Sequence, residues 1–252
     1  MTSSSPARTT ESASRGTWSR VKGLVRPFVL TEVRGAWDYH RHPEARDSWG
    51  GPCNGQRARQ SLVREIIGAI RPTRIIETGT YRGTTTAWLR EVGQVPVITI
   101  ENSRWFWGYS TYRFRADSNV SVRRGDSRKV LASLTKNGRL ADTPTFFYLD
   151  AHWEADLPLR EELEIIFSAC SRAVVMIDDF QVPGDPGYAY DDYGRGKALT
   201  LEYTRPVAER FDLAIFFPAA ASAEETGARR GCVVLTKKNA EGTVLKALCG
   251  LR

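Results

Sequence analysis

Five short apolar runs in the sequence each lead into a carboxylate, and a stretch with helical spacing follows most of them. Strands and helices that alternate in this way predict a parallel sheet covered by helices on both faces. Ligands of such sheets bind outside the carboxyl ends of the strands, so the acids are expected along one rim of the sheet. The acids that follow the five runs are Glu77, Glu101, Asp126, Asp150 and the adjacent pair Asp178 and Asp179.

The same periodicity predicts the remaining elements. The segment 218–230 is Ala-rich and polar and has no helical pattern, so the strands on either side of it are expected to form an antiparallel hairpin. We therefore predict an α/β fold with a doubly wound, mostly parallel seven-stranded sheet. Helices are expected over 84–92, 104–115, 127–134, 157–169 and 197–210, and the last two strands over 213–217 and 231–236.

Composition divides the chain into three parts. Residues 1–17 are rich in Ser, Thr, Ala and Arg, and we expect a disordered tail because few large apolar residues are present to be buried. Residues 18–53 mix aromatic residues, Arg and His, and predict an N-terminal arm that either covers the ligand cleft or contributes a dimer surface. Residues 54–252 are expected to form the single α/β domain.

Net charge, cysteine content and hydropathy give weak evidence against a nucleic-acid or membrane surface, a zinc site and a membrane span. The 252 residues carry a formal net charge of +7, but the arginines are scattered, so a solvated surface is favoured over a face for nucleic acid or anionic membrane. The four cysteines fit no zinc-site spacing, and Cys170 and Cys232 are expected to be buried thiols, which favours a cytoplasmic location. No stretch is long and apolar enough to predict a membrane span.

The turn after the first strand contains two glycines, Gly79 and Gly83, that let the backbone bend sharply and approach a ligand. In dinucleotide enzymes this turn begins with a glycine and holds pyrophosphate, but here Glu77 takes that place. A carboxylate repels pyrophosphate and could attract an ammonium or sulfonium group. Glu101 lies 24 residues later, where an acid can accept hydrogen bonds from ribose hydroxyls. The alternative is an ordinary strand-to-helix turn.

Glu77-x-Gly79-x-x-x-Gly83, Glu101 and Gly125-Asp126-Ser127 follow in that order on successive strands, and over about residues 54–237 the chain resembles the class I S-adenosylmethionine-dependent methyltransferases. In that family the glycine-rich turn faces the methionine part of the cofactor, the acid after strand two binds the ribose, and an Asp after strand three contacts the adenine amino group. Tyr81 replaces the family's usual middle glycine, so either the turn is wider or the Tyr81 side chain points away from the cofactor. The resemblance implies that Glu77, Gly79, Thr80, Tyr81, Gly83, Glu101, Asp126 and Ser127 bind S-adenosylmethionine.

A second group of acids, Asp150, Asp178 and Asp179, is expected at the ends of the fourth and fifth strands. Clustered carboxylates repel one another unless they are protonated, hydrogen-bonded or bound to a cation, and oxygen ligands suit Mg²⁺. Such an ion could lower the pKa of a substrate hydroxyl. The arrangement resembles the macrocin-type, metal-dependent sugar O-methyltransferases of macrolide biosynthesis and the cephalosporin-hydroxylase-like group. The alternative is a set of capping or solvated acids.

Two further features lie near this rim. His152, two residues after Asp150, could be the general base, a metal ligand or a structural residue, so His152 and Asp150 are the candidate catalytic residues. The loop 182–194 is long and contains Gly, Pro, Tyr and Asp, which is typical of a lid or substrate wall as well as of a plain surface loop.

We therefore expect methyl transfer from S-adenosylmethionine to a hydroxyl of a small-molecule acceptor, such as a sugar or secondary metabolite, with Mg²⁺ assistance. No nucleic-acid partner is expected, and the arm could support a homo-oligomer. One alternative is the same fold with hydroxylase-like chemistry. Oxygen-activating iron prefers two histidines and one carboxylate, and a single histidine lies near this rim. The other alternative is a non-catalytic nucleotide-binding module.

Overall fold

A computed structural model describes residues 30–136, 138–152 and 156–252. The predicted disordered tail, 1–17, and the first part of the predicted arm, 18–29, lie outside the described residues. The seven strands are β1 (Arg74–Thr78), β2 (Val97–Glu101), β3 (Val120–Arg124), β4 (Thr145–Leu149), β5 (Ala173–Ile177), β6 (Leu213–Phe216) and β7 (Val233–Lys237).

Eight α-helices are defined among the described residues. None of them is both long and apolar enough to cross a lipid bilayer. They are α1 (Thr31–Arg41), α2 (Arg57–Ile70), α3 (Thr84–Gly93), α4 (Arg104–Arg113), α5 (Ser127–Thr135), α6 (Leu159–Ala169), α7 (Leu201–Arg210) and α8 (Ala240–Lys246).

The strands form one sheet in the order β3-β2-β1-β4-β5-β7-β6. Strands β1 to β5 pair in parallel, whereas β7 pairs antiparallel with both β5 and β6, as predicted for the hairpin. The strand order reverses between β1 and β4, and in sheets of this kind ligands bind in the crevice at that point. The fold therefore brings the glycine turn after β1 and the acids after β4 to the same crevice.

Two apolar layers enclose the sheet. Residues of α5, α6 and α7, including Leu131, Phe167 and Val207, form the core on one face. On the other face, α2, α3 and α8 contribute Ile66, Leu89 and Leu245, among others. Every residue of β4 and β5 is buried, which explains why these strands read as continuous apolar runs. Cys53, Cys170 and Cys232 are buried free thiols, and Cys249 is exposed.

Two helices begin later than the periodicity predicted. Helix α6 begins at Leu159 rather than at the predicted residue 157. Its first backbone hydrogen bond runs from the Glu162 N–H to the Pro158 carbonyl, so Pro158 is the capping residue that precedes the first turn. Helix α7 begins at Leu201 rather than at residue 197, because the Thr200 hydroxyl accepts a hydrogen bond from the backbone N–H of Tyr203 and caps the helix there. Its predicted first turn belongs to the preceding loop, where Leu199 pairs with Asp191 and Gln181 through the backbone.

The described part of the N-terminal arm packs against α4. Helix α1 approaches α4 closely through two glycines. A Cβ added to Gly35 would collide with the Trp105 carbonyl oxygen, and one added to Gly108 would collide with the Glu32 carbonyl oxygen. The arm is therefore joined to the helix that follows β2 by backbone contact as well as by side-chain packing.

Candidate functional site

The turn after β1 is packed tightly against the end of β4. Gly79 has a φ of 86°, and a side chain there would meet the carbonyl oxygen of Asp150. Gly83 has a φ of 73°, and its Cβ would lie 2.6 Å from the Phe114 ring. Both positions favour glycine because of their positive φ and the lack of space. The predicted cofactor turn and Asp150 are thus direct neighbours.

Tyr81, the departure from the methyltransferase pattern, adopts a left-handed conformation with a φ of 48°. Its ring packs on Phe106 of α4, with 4.3 Å between ring centroids. Its backbone N–H donates a hydrogen bond of 2.7 Å to the Glu101 carboxylate. The turn therefore forms without a middle glycine. The Tyr81 ring packs on α4, and the Tyr81 backbone N–H bonds to Glu101 at the end of β2.

Glu101, at the end of β2, is 9% exposed and accepts hydrogen bonds from two backbone N–H groups. One comes from Tyr81, and the other, of 2.8 Å, comes from Ser103. Burial raises the pKa of Glu101, and the backbone donors oppose that shift. A carboxylate offers about four acceptor positions, so about two remain for the hydroxyls of a ribose.

Glu77 lies beneath the turn rather than on its surface. Its buried carboxylate accepts hydrogen bonds from the hydroxyls of Thr86 and Thr99, the latter at 2.6 Å. The hydroxyl of Thr80, also buried, lies 2.6 Å from that of Thr99. Burial raises the pKa of Glu77 to about 7, while the threonine hydroxyls act in the opposite direction. Glu77 therefore ties the turn to α3 and β2, and Thr80 belongs to the same buried network.

Asp126 caps α5, and Arg128 holds its carboxylate. The backbone N–H of Arg128 donates at 2.9 Å and its guanidinium at 2.7 Å, which lowers the pKa of Asp126. An adenine amino group at this place would share the carboxylate with that guanidinium. Ser127 is buried beside Glu162 of α6; burial raises the pKa of Glu162 to about 7, and the Ser127 hydroxyl opposes this.

The ends of β4 and β5 bring together Asp150, His152 and Asp179. One potential ligand atom from each of these side chains lies within 4.8 Å of the others. The His152 side chain is only 2% exposed, and its Nε2 atom is 3.7 Å from Asp150 Oδ1. This buried nitrogen has no hydrogen-bond partner among the described residues. Buried polar atoms normally have a partner, so a bound ion or a substrate group would complete this site.

Asp178, predicted as a metal ligand, lies outside this group. Its carboxylate is fully buried and forms an ion pair with Arg59 of α2. It also accepts a hydrogen bond of 2.6 Å from the Tyr148 hydroxyl and one of 2.8 Å from the Asp179 backbone N–H. These partners already satisfy the carboxylate, so Asp178 anchors the segment that carries Asp179.

Burial and mutual repulsion shift the titration of the grouped side chains. Partial burial raises the pKa of Asp150 well above its usual range, and the charges of Asp178 and Asp179 add to that effect. Burial, together with Asp178, raises the pKa of Asp179 to about 7, whereas Arg230 opposes the shift. Burial lowers the pKa of His152, so its imidazole is neutral near pH 7. A neutral imidazole can accept a proton or bind a metal ion.

Three residues of this rim were not named as site residues from the sequence. Asp191 Oδ2 lies 4.0 Å from His152 Nε2, and the Tyr193 hydroxyl donates a hydrogen bond to the Asp191 carboxylate. Arg230 pairs with Asp179 at 2.7 Å and also with Asp191. The composition of the loop 182–194 was a usable signal for Asp191 and Tyr193. Arg230 ends the polar link 218–230, where no pattern distinguished it.

Comparisons with known proteins bear on the fold. No protein-family model matches the chain, and no curated protein matches it. Among solved structures it is similar to an O-methyltransferase from Bacillus cereus in complex with SAH, at 17% identity and a TM-score of 0.54, covering 88% of this chain and 99% of that one. It is also similar to the O-methyltransferase TomG from Streptomyces achromogenes, involved in tomaymycin synthesis and solved with SAM, at 18% identity and a TM-score of 0.52, covering 90% and 100%. The predicted resemblance to class I methyltransferases is confirmed at the level of the fold.

Proposed function

We propose that the chain binds S-adenosylmethionine and transfers its methyl group to a hydroxyl of a small-molecule acceptor. The observation that carries the proposal is the position of Glu101, whose carboxylate is fixed by two backbone N–H groups beside the Gly79 turn. The same turn contacts Asp150, so a nucleoside held by Glu101 would extend toward the acidic group at the ends of β4 and β5. The bound cofactor supplies an electrophilic methyl group on a sulfonium.

On the cofactor side, we propose a division of roles among the predicted residues. Glu101 accepts hydrogen bonds from the ribose hydroxyls, and Asp126 accepts one from the adenine amino group beside Arg128. The backbone of the turn from Gly79 to Gly83 faces the methionine part. Glu77 and Thr80 support the turn from below, because both are buried in a hydrogen-bond network with Thr99.

On the acceptor side, Asp150, His152 and Asp179 would hold a divalent cation. The orphaned, buried Nε2 of His152 and the two nearby carboxylates fit such an ion. We expect Mg²⁺, although an imidazole among carboxylates also suits Mn²⁺. Such a cation would supply Lewis-acid chemistry that lowers the pKa of a coordinated hydroxyl, and the proton released when the methyl group leaves the sulfonium would pass to solvent.

The same side chains suggest how the acceptor is oriented. The Asp150 side chain is 35% exposed, whereas that of His152 is 2% exposed, so Asp150 is the residue that an acceptor can contact directly. His152, which is more deeply buried, then acts as a ligand of the cation and does not contact the acceptor. An acidic rim suits a neutral or cationic, hydroxyl-rich acceptor, such as a sugar or secondary metabolite, and disfavours nucleic acid.

Calorimetric titration with S-adenosylhomocysteine, the demethylated product of the cofactor, tests the proposal. The Glu101→Gln variant should bind it roughly 10- to 100-fold more weakly than the wild type, because each hydrogen bond to a charged group contributes about 1.5–3 kcal/mol. Glu91→Gln, on the exposed face of α3, is the matched control and should bind like the wild type. Tighter binding of NAD than of S-adenosylhomocysteine, or an unchanged Glu101→Gln affinity, would refute the assignment.

A further inference from the structure

Arg230 places a positive charge of the protein itself against Asp179, one of the proposed cation ligands. Its Nε donates to Asp179 Oδ1 at 2.7 Å, and its Nη2 pairs with Asp191. Asp191 in turn lies 4.0 Å from the orphaned Nε2 of His152. One guanidinium therefore engages a proposed ligand, Asp179, and the loop carboxylate that faces another, His152.

The formal charges of the rim leave room for a divalent ion. The four carboxylates are those of Asp150, Asp178, Asp179 and Asp191, and two guanidiniums pair with three of them. With His152 neutral, two negative charges remain uncompensated, and one divalent cation would balance them.

The two arginines are held very differently. The Arg59 side chain is 2% exposed and is fixed between Asp178 and the backbone carbonyl of Arg230. The Arg230 side chain is 24% exposed, and both carboxylates that it contacts, those of Asp179 and Asp191, are also partly exposed. Arg59 is thus enclosed together with Asp178, whereas the guanidinium of Arg230 borders solvent.

Hydrogen bonds fix the backbone around Arg230, so only its side chain is free to change position. The Arg230 N–H donates to the side chain of Gln56 at 3.0 Å. The next residue, Gly231, donates its N–H to Ala189 and accepts one from Phe180, at 2.8 Å and 3.0 Å. These bonds also hold the loop that carries Asp191 against the end of β5.

We propose that Arg230 is a positioning residue that occupies the cation site as an internal substitute for the metal and thereby sets the affinity of that site. Its guanidinium keeps Asp179 and Asp191 together, and it leaves Asp179 when a divalent ion binds. Asp191 then becomes available to the ion or to His152. This inference rests on the proposed function, because it takes the group of Asp150, His152 and Asp179 to be a cation site.

Titration with Mn²⁺, followed by the electron paramagnetic resonance signal of the unbound ion, tests the inference without any activity measurement. Arg230→Met should bind Mn²⁺ roughly tenfold more tightly than the wild type, because a unit charge a few ångströms from the ion opposes binding by at least that factor. Arg230→Lys keeps the charge and should remain within a few-fold of the wild type. Arg229→Met, an exposed neighbour with the same change in net charge, should also remain near it.

The outcomes separate the two proposals. If the wild type binds Mn²⁺ but Arg230→Met binds it no more tightly than Arg229→Met does, the proposed role of Arg230 is overturned. The cation site itself would stand. Absence of Mn²⁺ binding in every variant, at millimolar ion and in the presence of S-adenosylhomocysteine, would reject the cation site and the inference with it. Adding Asp150→Asn to each variant should abolish binding, and binding that survives it would place the ion elsewhere and overturn both. Thermal melts check that Arg230→Met is folded, and Arg230→Gln, which also removes the charge and should bind Mn²⁺ more tightly than the wild type, supplies the comparison if it is not.

Discussion

Individual carboxylates of the rim differ in ways that their sequence positions did not reveal. Glu77 is enclosed by threonine hydroxyls, Glu101 by backbone N–H groups, and Asp126 by a guanidinium. Their convergence on one rim could be predicted, because each follows an apolar run. The hydrogen-bond and ion-pair partners of these carboxylates could not be predicted. For example, Arg59 pairs with Asp178 although 119 positions separate them, and no periodicity links the two.

The raised pKa of Glu77 predicts a dependence of stability on pH. A carboxyl whose pKa rises from about 4.5 to about 7 on folding keeps its proton in the native state while the unfolded chain loses it. The free energy of unfolding should therefore fall as the pH rises through that window, by up to about 3 kcal/mol from this one group, and then level off.

Urea denaturation at pH 5 and at pH 8 measures this dependence. Glu77→Gln should lose less stability between the two values than the wild type does, and Glu91→Gln should behave like the wild type. Glu162, whose pKa is also raised to about 7, keeps some slope in every variant, so the informative quantity is the difference between proteins. Identical slopes for Glu77→Gln and the wild type would show that Glu77 is ionised in the folded protein.

Most elements could be predicted because their apolar patterns are local. Strands β1 to β5 each end within two residues of the carboxylate that marked them in the sequence, and helices α3 and α5 lie within two residues of their predicted ranges. The start of α7 could not be predicted, because residues 197–200 have helical composition but pair through the backbone with the loop after β5. The arm was predicted without assigned helices or strands, since the contact of its helix α1 with α4 depends on glycines far apart in sequence.

The contact between α1 and α4 makes a prediction about the arm. Gly108→Ala should push α1 away, because the added methyl group would collide with the Glu32 carbonyl oxygen. Overpacking of this kind costs roughly 1–3 kcal/mol, which should appear as faster hydrogen exchange of the amides in Thr31–Arg41.

Gly68→Ala in α2 is the matched control for this experiment. A methyl group there meets nothing within 4 Å, and alanine favours a helix over glycine by roughly 0.5–1 kcal/mol. Exchange in the arm should therefore remain as in the wild type. Unchanged protection of α1 in Gly108→Ala would mean that the arm is not held through this glycine contact.

For the molecule as a whole, the reversal of strand order between β1 and β4 brings the two halves of the candidate site together. The sequence predicted the sheet and the rim, and the fold bears them out. It did not predict that the loop 182–194 and the link 218–230 would meet there, where the Ala189 N–H donates to the Arg229 carbonyl at 2.9 Å. Neither segment has a repeating pattern, so their meeting is a property of the folded chain.

A crystal structure with S-adenosylhomocysteine and Mn²⁺ bound, examined by its anomalous difference map, tests the central claim most directly. The account predicts the ribose hydroxyls within hydrogen-bond distance of Glu101 and a manganese peak between Asp150, His152 and Asp179, with the thioether sulfur directed toward that peak. A nucleoside bound away from the Gly79 turn, or a manganese peak remote from Asp150, would contradict it.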